Sequence, residues 1–154
     1  MREKQPTSDH CFICGRKNPV GLKMHFYTTG PDEVSADYTV PDRYQGYPGI
    51  VHGGIVASIL DETAGRSVMA DGDERFFVTV TMDISYRKPV PTETPVKILG
   101  KLKSKRGRRA MVFGQIQTQE GKVLAEAEAL LYVIPDELQQ AGNREEFGWR
   151  VEED

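Results

Sequence analysis

The segment GIVHGGIVASILDETAG, residues 49–65, decides how the rest of the chain must be arranged. Two glycines after a histidine open a run in which Ile55, Val56, Ile59 and Leu60 recur at helical spacing, continued by Val68 and Met69. These positions lie too evenly around a helix to leave one broad polar face, so residues 51–70 read as a helix buried on most sides. No other long stretch of the chain carries that period.

A lone buried helix needs a cover, and on both sides of it the period drops to two. Upstream, Met24, Phe26 and Thr28 alternate with Lys23, His25 and Tyr27, and after the turn TGPD the pattern resumes through Val34, Ala36, Tyr38 and Val40. Downstream, Val78, Val80, Met82, Ile84 and Tyr86 alternate with polar residues as far as the breaker KPVP. Three further runs span about 96–103, 110–118 and 123–134, separated by the turns KRGR and QEGK, whose glycines permit a positive φ. The order is β-β-α-β-β-β-β, and with no second helix to share the work, an antiparallel sheet must curl around the one that exists. The expected class is α+β: about six antiparallel strands wrapped around one long central helix, the hotdog fold.

A length of 154 residues suits one domain with a real core and would cramp two. Hydrophobic residues at 38% and charged residues at 28% are the balance of a soluble globular protein. No run approaches the roughly 18 apolar residues that span a bilayer, and the opening MREKQPTSDH does not resemble a secretory segment. A cytoplasmic location is therefore expected, with no membrane partner, and the net charge of −3 argues against nucleic acid. The expected division is an arm at 1–22, the hotdog domain at 23–135 and a polar tail at 136–154. That tail reads as a short helix or arm with a frayed end, and its Trp149 would dock on the body or on a partner.

The first N–H groups of a helix have no intrahelical acceptor and sit at the positive end of its dipole, which suits an anion or a developing oxyanion. Gly53 and Gly54 carry no side chain to keep a carbonyl oxygen away from those groups; the same glycines would also let the helix pass close to a strand. Asp61 and Glu62 project about 100° apart. Glu62 has Arg66 at i+4 and reads as a helix-surface ion pair. Asp61 shares its stripe with Gly53, Ala57, Ala64 and Val68, none of them basic. A carboxylate there needs a hydrogen bond to backbone or water, or a chemical role as general base or nucleophile. Eight residues at about 1.5 Å rise separate Gly53 from Asp61 by roughly 12 Å. They can serve one carbonyl only from different chains, which a two-fold pair of helices supplies twice, so the expected active unit is a homodimer.

Three blocks in this order, HCFICGRKNPVGL (10–22), YQGYPGIVHGGIVASILDETAG (44–65) and VTVTMDISYRKPVP (78–91), resemble the acyl-CoA thioesterases of the hotdog superfamily, in particular the PaaI-type group. The resemblance covers about residues 10–134. It implies hydrolysis of an acyl-CoA to a carboxylic acid and free CoA, with no cofactor and no metal. It also implies that the Gly53 N–H forms an oxyanion hole, that Asp61 activates water or attacks the carbonyl itself, and that the Thr79 hydroxyl holds the water. Where some relatives have an Asn before the His-Gly-Gly, this chain offers Gln45 and Gly46, which makes Gln45 the candidate second donor. His52 is expected as a hydrogen-bonding element at the helix mouth. Strict alternation puts Thr79 on the polar side of its strand, away from the helix, so its role requires a bulge or a place on the dimer seam.

Coenzyme A carries a 3′-phosphate and a pyrophosphate, and guanidinium groups match phosphate geometry. The hairpin KLKSKRGRR (101–109) concentrates positive charge on an acidic chain. Lys105, Arg106 and Arg108, with Arg87, Lys88 and Gly54, are the expected substrate-binding residues; RNA fits that patch less well because interleaved aromatics are missing. Cys11 and Cys14 form a single CxxC, so zinc would need His10 or a partner chain, and buried structural thiols are expected. A Cys11–His10 nucleophile pair would lie in a loop far in sequence from the helix, with no orienting acid. The expected partners are acyl-CoA and further copies of the chain, as a dimer or a dimer of dimers. The alternative to a thioesterase is a non-catalytic acyl-CoA sensor or scaffold, which would have little use for an unpaired acid beside the thioester. A hydratase of this fold would want an Asp and a His together on the helix.

Overall fold

The structure, a computed structural model, describes residues 2–135, 137–138 and 143–153. Strands β1 (Glu3–Lys4), β2 (Tyr27–Gly30), β3 (Glu33–Thr39), β4 (Phe77–Tyr86), β5 (Pro95–Arg106), β6 (Arg109–Thr118) and β7 (Val123–Val133) form one sheet in the order β1-β2-β3-β5-β6-β7-β4. Every pairing is antiparallel. Helix α1 (Gly53–Arg66), prolonged by a 3-10 turn at Ser67–Met69, packs across β3 to β7. This is the hotdog arrangement, with one strand more than expected because β1 is too short to show a period.

The helix starts at Gly53 rather than 51 because Val51 is held extended: it bridges Gln45, and its N–H donates to Val90 O at 2.8 Å. Val56, Ile59, Leu60 and Ala64 of α1 are buried against Val34, Ile98, Val112, Ile116 and Leu131 of the sheet. Each large side chain removed from water stabilises the fold by about 1.5–3 kcal/mol. Close approach is set by glycines of the sheet: a Cβ on Gly100 would sit 2.4 Å from Thr63 O, and one on Gly114 3.1 Å from Leu60 O.

The first expected strand needs correction. Leu22, Met24 and Phe26 are buried as alternation requires, but Lys23 adopts a φ of 53° and the ladder begins only at Tyr27. The preceding residues bond instead to the N-terminal arm, Leu22 N–H to Phe12 O and Met24 N–H to Ile13 O, both at 2.9 Å.

The end of the tail is tied down rather than frayed. Thr7 and Arg150 exchange backbone hydrogen bonds (2.8 and 3.1 Å), and Asp9 N–H donates to Phe147 O at 2.8 Å. Arg16 clamps the join, donating to Asp9 Oδ1 and Gly148 O at 2.7 Å each. Trp149 docks on the body, edge-on to Phe76 at 5.3 Å and beneath the Arg66 guanidinium. Residues 136, 139–142 and 154 of the expected tail, where its short helix or arm could fall, lie outside the described residues. Among the described residues no helix is long and apolar enough to cross a membrane.

β4 closes one end of the sheet, with β7 on its inner side alone. Although it carries Phe77, Val78, Val80, Met82 and Ile84, none of its residues is buried.

Candidate active site

Asp61 is half-buried on α1 and accepts a 2.6 Å hydrogen bond from Thr79 Oγ1 of the same chain. A bulge makes this possible. Thr79 pairs with Leu131 and Thr81 with the adjacent Leu130, so β4 carries one extra residue there. Such a bulge reverses which side chains face the helix. The two residues line a cavity of about 350 Å³ with Glu62, Arg66, Phe77 and Trp149. A ring cluster of Phe76, Phe147 and Trp149 stands on its wall, with centroids 5.3–5.9 Å apart.

Glu62 and Arg66 are paired, Nε to Oε1 at 2.9 Å, but not at the surface: the Arg66 side chain is 3% exposed. The N-terminal arm covers it, Pro6 O accepting from Nη1 at 2.8 Å, and the ring of Phe26 stacks under the guanidinium. The same arm brings both cysteines to the cavity wall, so their distance from the helix in sequence does not persist in space. Both are free thiols, Cys11 half-buried and Cys14 buried. The hydrogen bond from Cys11 and, against burial, the Arg66 charge hold the Cys14 thiol down at about 6. Cys11 is pushed up by that bond, by burial and by Glu62.

At the other end of the helix, His52 is the N-cap, its Nδ1 accepting from Gly54 N–H at 2.9 Å. That occupies the Gly54 donor and leaves the Gly53 N–H, which makes no hydrogen bond among the described residues. Tyr86 donates to Gly53 O at 2.8 Å, and Gln45, exposed, is brought to the mouth by its bridge to Val51. Gly53 lines a separate cavity of about 540 Å³ with His52, Tyr86, Arg87 and Lys88. The sequence-predicted groups thus fall into two clusters toward opposite ends of α1, Asp61 with Thr79 and Gly53 with His52, as the helix length demands.

The basic candidates divide in the same way. Arg87, bonded to Glu126 at 2.7 Å, and Lys88 stand at the Gly53 end. Lys88 also holds the ammonium of Lys122 below the usual lysine range. Lys105 is held by Asp71 and Asp73 at 2.7 and 3.0 Å, near the Asp61 end. Arg106 is exposed opposite Arg109, and Arg108 Nη2 reaches Ile134 O at 3.5 Å. Sequence reasoning read Glu62–Arg66 as a surface pair and left Trp149 to dock on the body or on a partner, placing neither at the cavity beside Asp61; it missed Lys122, which a segment remote in sequence brings to Lys88. It also missed Tyr86, whose exposed aromatic end next to KP was the one available signal.

Residues 48–125 match the model of the Thioesterase superfamily, half of the chain. The rat acyl-coenzyme A thioesterase THEM4 is 35% identical over 136 residues, which are 88% of this chain and 58% of that protein. The chain spans about half the length of the curated relatives it matches. The crystal structure of a thioesterase superfamily protein superposes with a TM-score of 0.74 and 30% identity, over 81% of this chain and 60% of that one. A hypothetical thioesterase from Streptococcus pneumoniae TIGR4, solved with coenzyme A, gives 0.62 and 23% identity, over 67% and 82%. The family match takes in the His-Gly-Gly mouth, the helix with Asp61, and Thr79 on the bulged strand: this chain belongs to the thioesterase superfamily.

Proposed function

We propose that this protein hydrolyses an acyl-CoA thioester to a carboxylic acid and free CoA, in sites built by two copies of the chain. The observation that carries the reading is the Thr79–Asp61 hydrogen bond at the wall of an aromatic-lined cavity. It fixes a carboxylate beside a space where an acyl group and a water fit. The name of the rat relative and the coenzyme A in the streptococcal structure support the substrate class.

Asp61 takes a proton from water as the water oxygen attacks the thioester carbon. Charge gathers on the carbonyl oxygen, where the unspent Gly53 N–H at the positive end of a second α1 receives it. Collapse breaks the C–S bond, and the proton moves from Asp61 to the departing CoA thiolate. From the same position Asp61 can instead attack the carbon; the C–S bond breaks, CoA leaves as a thiolate that takes a proton from water, and a second water opens the resulting mixed anhydride to the carboxylic acid and free Asp61. Thr79 positions the carboxylate in either route.

The partner is argued from β4. An apolar edge strand with no buried residue is a template for pairing. Joined antiparallel about Met82, two copies set the Thr79 end of one β4 against the Tyr86 end of the other. Since Thr79 marks Asp61 and Tyr86 marks Gly53, each Asp61 then meets the Gly53 of the other chain.

Free-thiol release from phenylacetyl-CoA, benzoyl-CoA and hexanoyl-CoA tests this, comparing wild type with Asp61→Asn. Turnover is expected to fall by on the order of a hundredfold or more, with ligand binding retained. Binding without thiol release by the wild type would favour a sensor, and full activity in Asp61→Asn would remove Asp61 from the mechanism.

A further inference from the structure

The N-terminal arm ends against α1 with three metal-ligating side chains converging. Cys11 Sγ, Cys14 Sγ and a Glu62 carboxylate oxygen all lie within 4.8 Å of one another. Cys11 Sγ is 3.8 Å from Glu62 Oε2, although the residues are 51 apart in sequence. Tetrahedral zinc, with Zn–S of about 2.3 Å and Zn–O of about 2.0–2.2 Å, requires ligand atoms about 3.5–3.8 Å apart. Small side-chain rotations bring the three atoms to that spacing.

The surroundings suit a bound cation. The N–H groups of Ile13 and Cys14 point at Cys11 Sγ, at 3.3 and 3.4 Å, as donors to a thiolate should. Gly15 permits that turn, since a Cβ there would fall 2.3 Å from Cys11 O. Arg66 Nε engages Glu62 Oε1, which leaves Oε2 directed at the sulfurs. Ser8 Oγ accepts from Cys11 N–H at 3.3 Å and lies 3.8 Å from Cys14 Sγ, steadying both cysteines. Two thiolates and a carboxylate balance a divalent ion plus the buried Arg66 guanidinium, so the loaded cluster is neutral, as burial favours. Thiolates select zinc over magnesium or calcium. His10, which from sequence a zinc site would have needed unless a partner chain supplied ligands, is exposed and outside the cluster.

We propose that Cys11, Cys14 and Glu62 bind one soft divalent cation of the zinc class, with its fourth position open to the cavity that Asp61 lines. The ion clips the arm to α1 beside that cavity. The proposal does not depend on the thioesterase reading, and its readout is metal binding, so either can fail alone.

The full-length protein, reduced and stripped of metal by a chelator, is titrated with Co²⁺ while thiolate-to-cobalt absorption is followed, and then with Zn²⁺. About one equivalent per chain is expected, with Zn²⁺ displacing the cobalt band. Cys11→Ser should abolish the band. Glu62→Gln, which retains an oxygen for Arg66 and so guards against a folding artefact, should weaken zinc binding at least about tenfold. No thiolate band in the wild type would overturn the proposal, as would a zinc affinity unchanged in Glu62→Gln.

Discussion

Thr79 reaches Asp61 because β4 carries one residue more than β7 opposite it. The hydrogen bond is open to solvent, so it orients the carboxylate more than it stabilises the fold. Thr79→Val keeps the β-branched shape and removes the donor, so kcat is expected to fall about 10- to 100-fold with KM and melting temperature little changed. Steady-state kinetics beside a thermal melt check this, and an unchanged kcat would make Thr79 an ordinary strand residue. Asp61, Gly53 and His52 were legible because helical spacing fixes where each lies. The bulge was legible only as one of two ways to give Thr79 its role, since Val78 to Tyr86 alternates without a visible break. The Glu62–Arg66 pair was legible as a pair, but its depth was not, because the arm that covers it comes from a distant part of the sequence.

At the scale of elements, the strands and the helix could be read from their periods, whereas the distance between layers could not. That distance rests on Gly100 and Gly114, which in sequence look like any other glycine in a strand. A methyl group at Gly100 would meet the Thr63 carbonyl oxygen, a backbone atom that yields only if α1 shifts. Gly65 is the counterexample within the helix, where an added Cβ would find only Leu131 Cδ1, at 3.9 Å. Gly100→Ala is therefore expected to destabilise by about 1–3 kcal/mol, and Gly65→Ala to stabilise by up to about 1 kcal/mol through helix propensity. Urea midpoints followed by circular dichroism separate the two; equal effects would mean that the sheet glycine does not set the layer spacing. The segment from Leu22 to Phe26 carries a related lesson, since burial alternates there while the hydrogen bonds go to a loop. Period reports which side chains are buried, not what the backbone pairs with.

For the whole molecule, the decisive feature is that one chain places Asp61 and Gly53 on different cavities, which under the proposed function are halves of sites shared by two copies. The length of α1 made that separation legible from spacing alone, and the edge strand β4, with Val80 and Tyr86 each 54% exposed, is where the proposed second copy would pair. Two inactive chains can then repair each other. Asp61→Asn removes the carboxylate, and Gly53→Pro removes the N–H with little cost to the fold. Proline suits the first helical position, and His52, at φ −56° and ψ 135°, already has the conformation favoured before proline. Loss of one oxyanion donor costs about 10²- to 10³-fold in kcat, so each variant alone should be nearly inactive. After subunit exchange in an equal mixture, half of the dimers are mixed, and each has one site with both groups intact. About a quarter of wild-type thiol release should return. Differently tagged chains, co-purified to prove exchange, make the result decisive: a mixture that exchanges and stays as inactive as its parents would show that Asp61 and Gly53 do not meet across a two-fold.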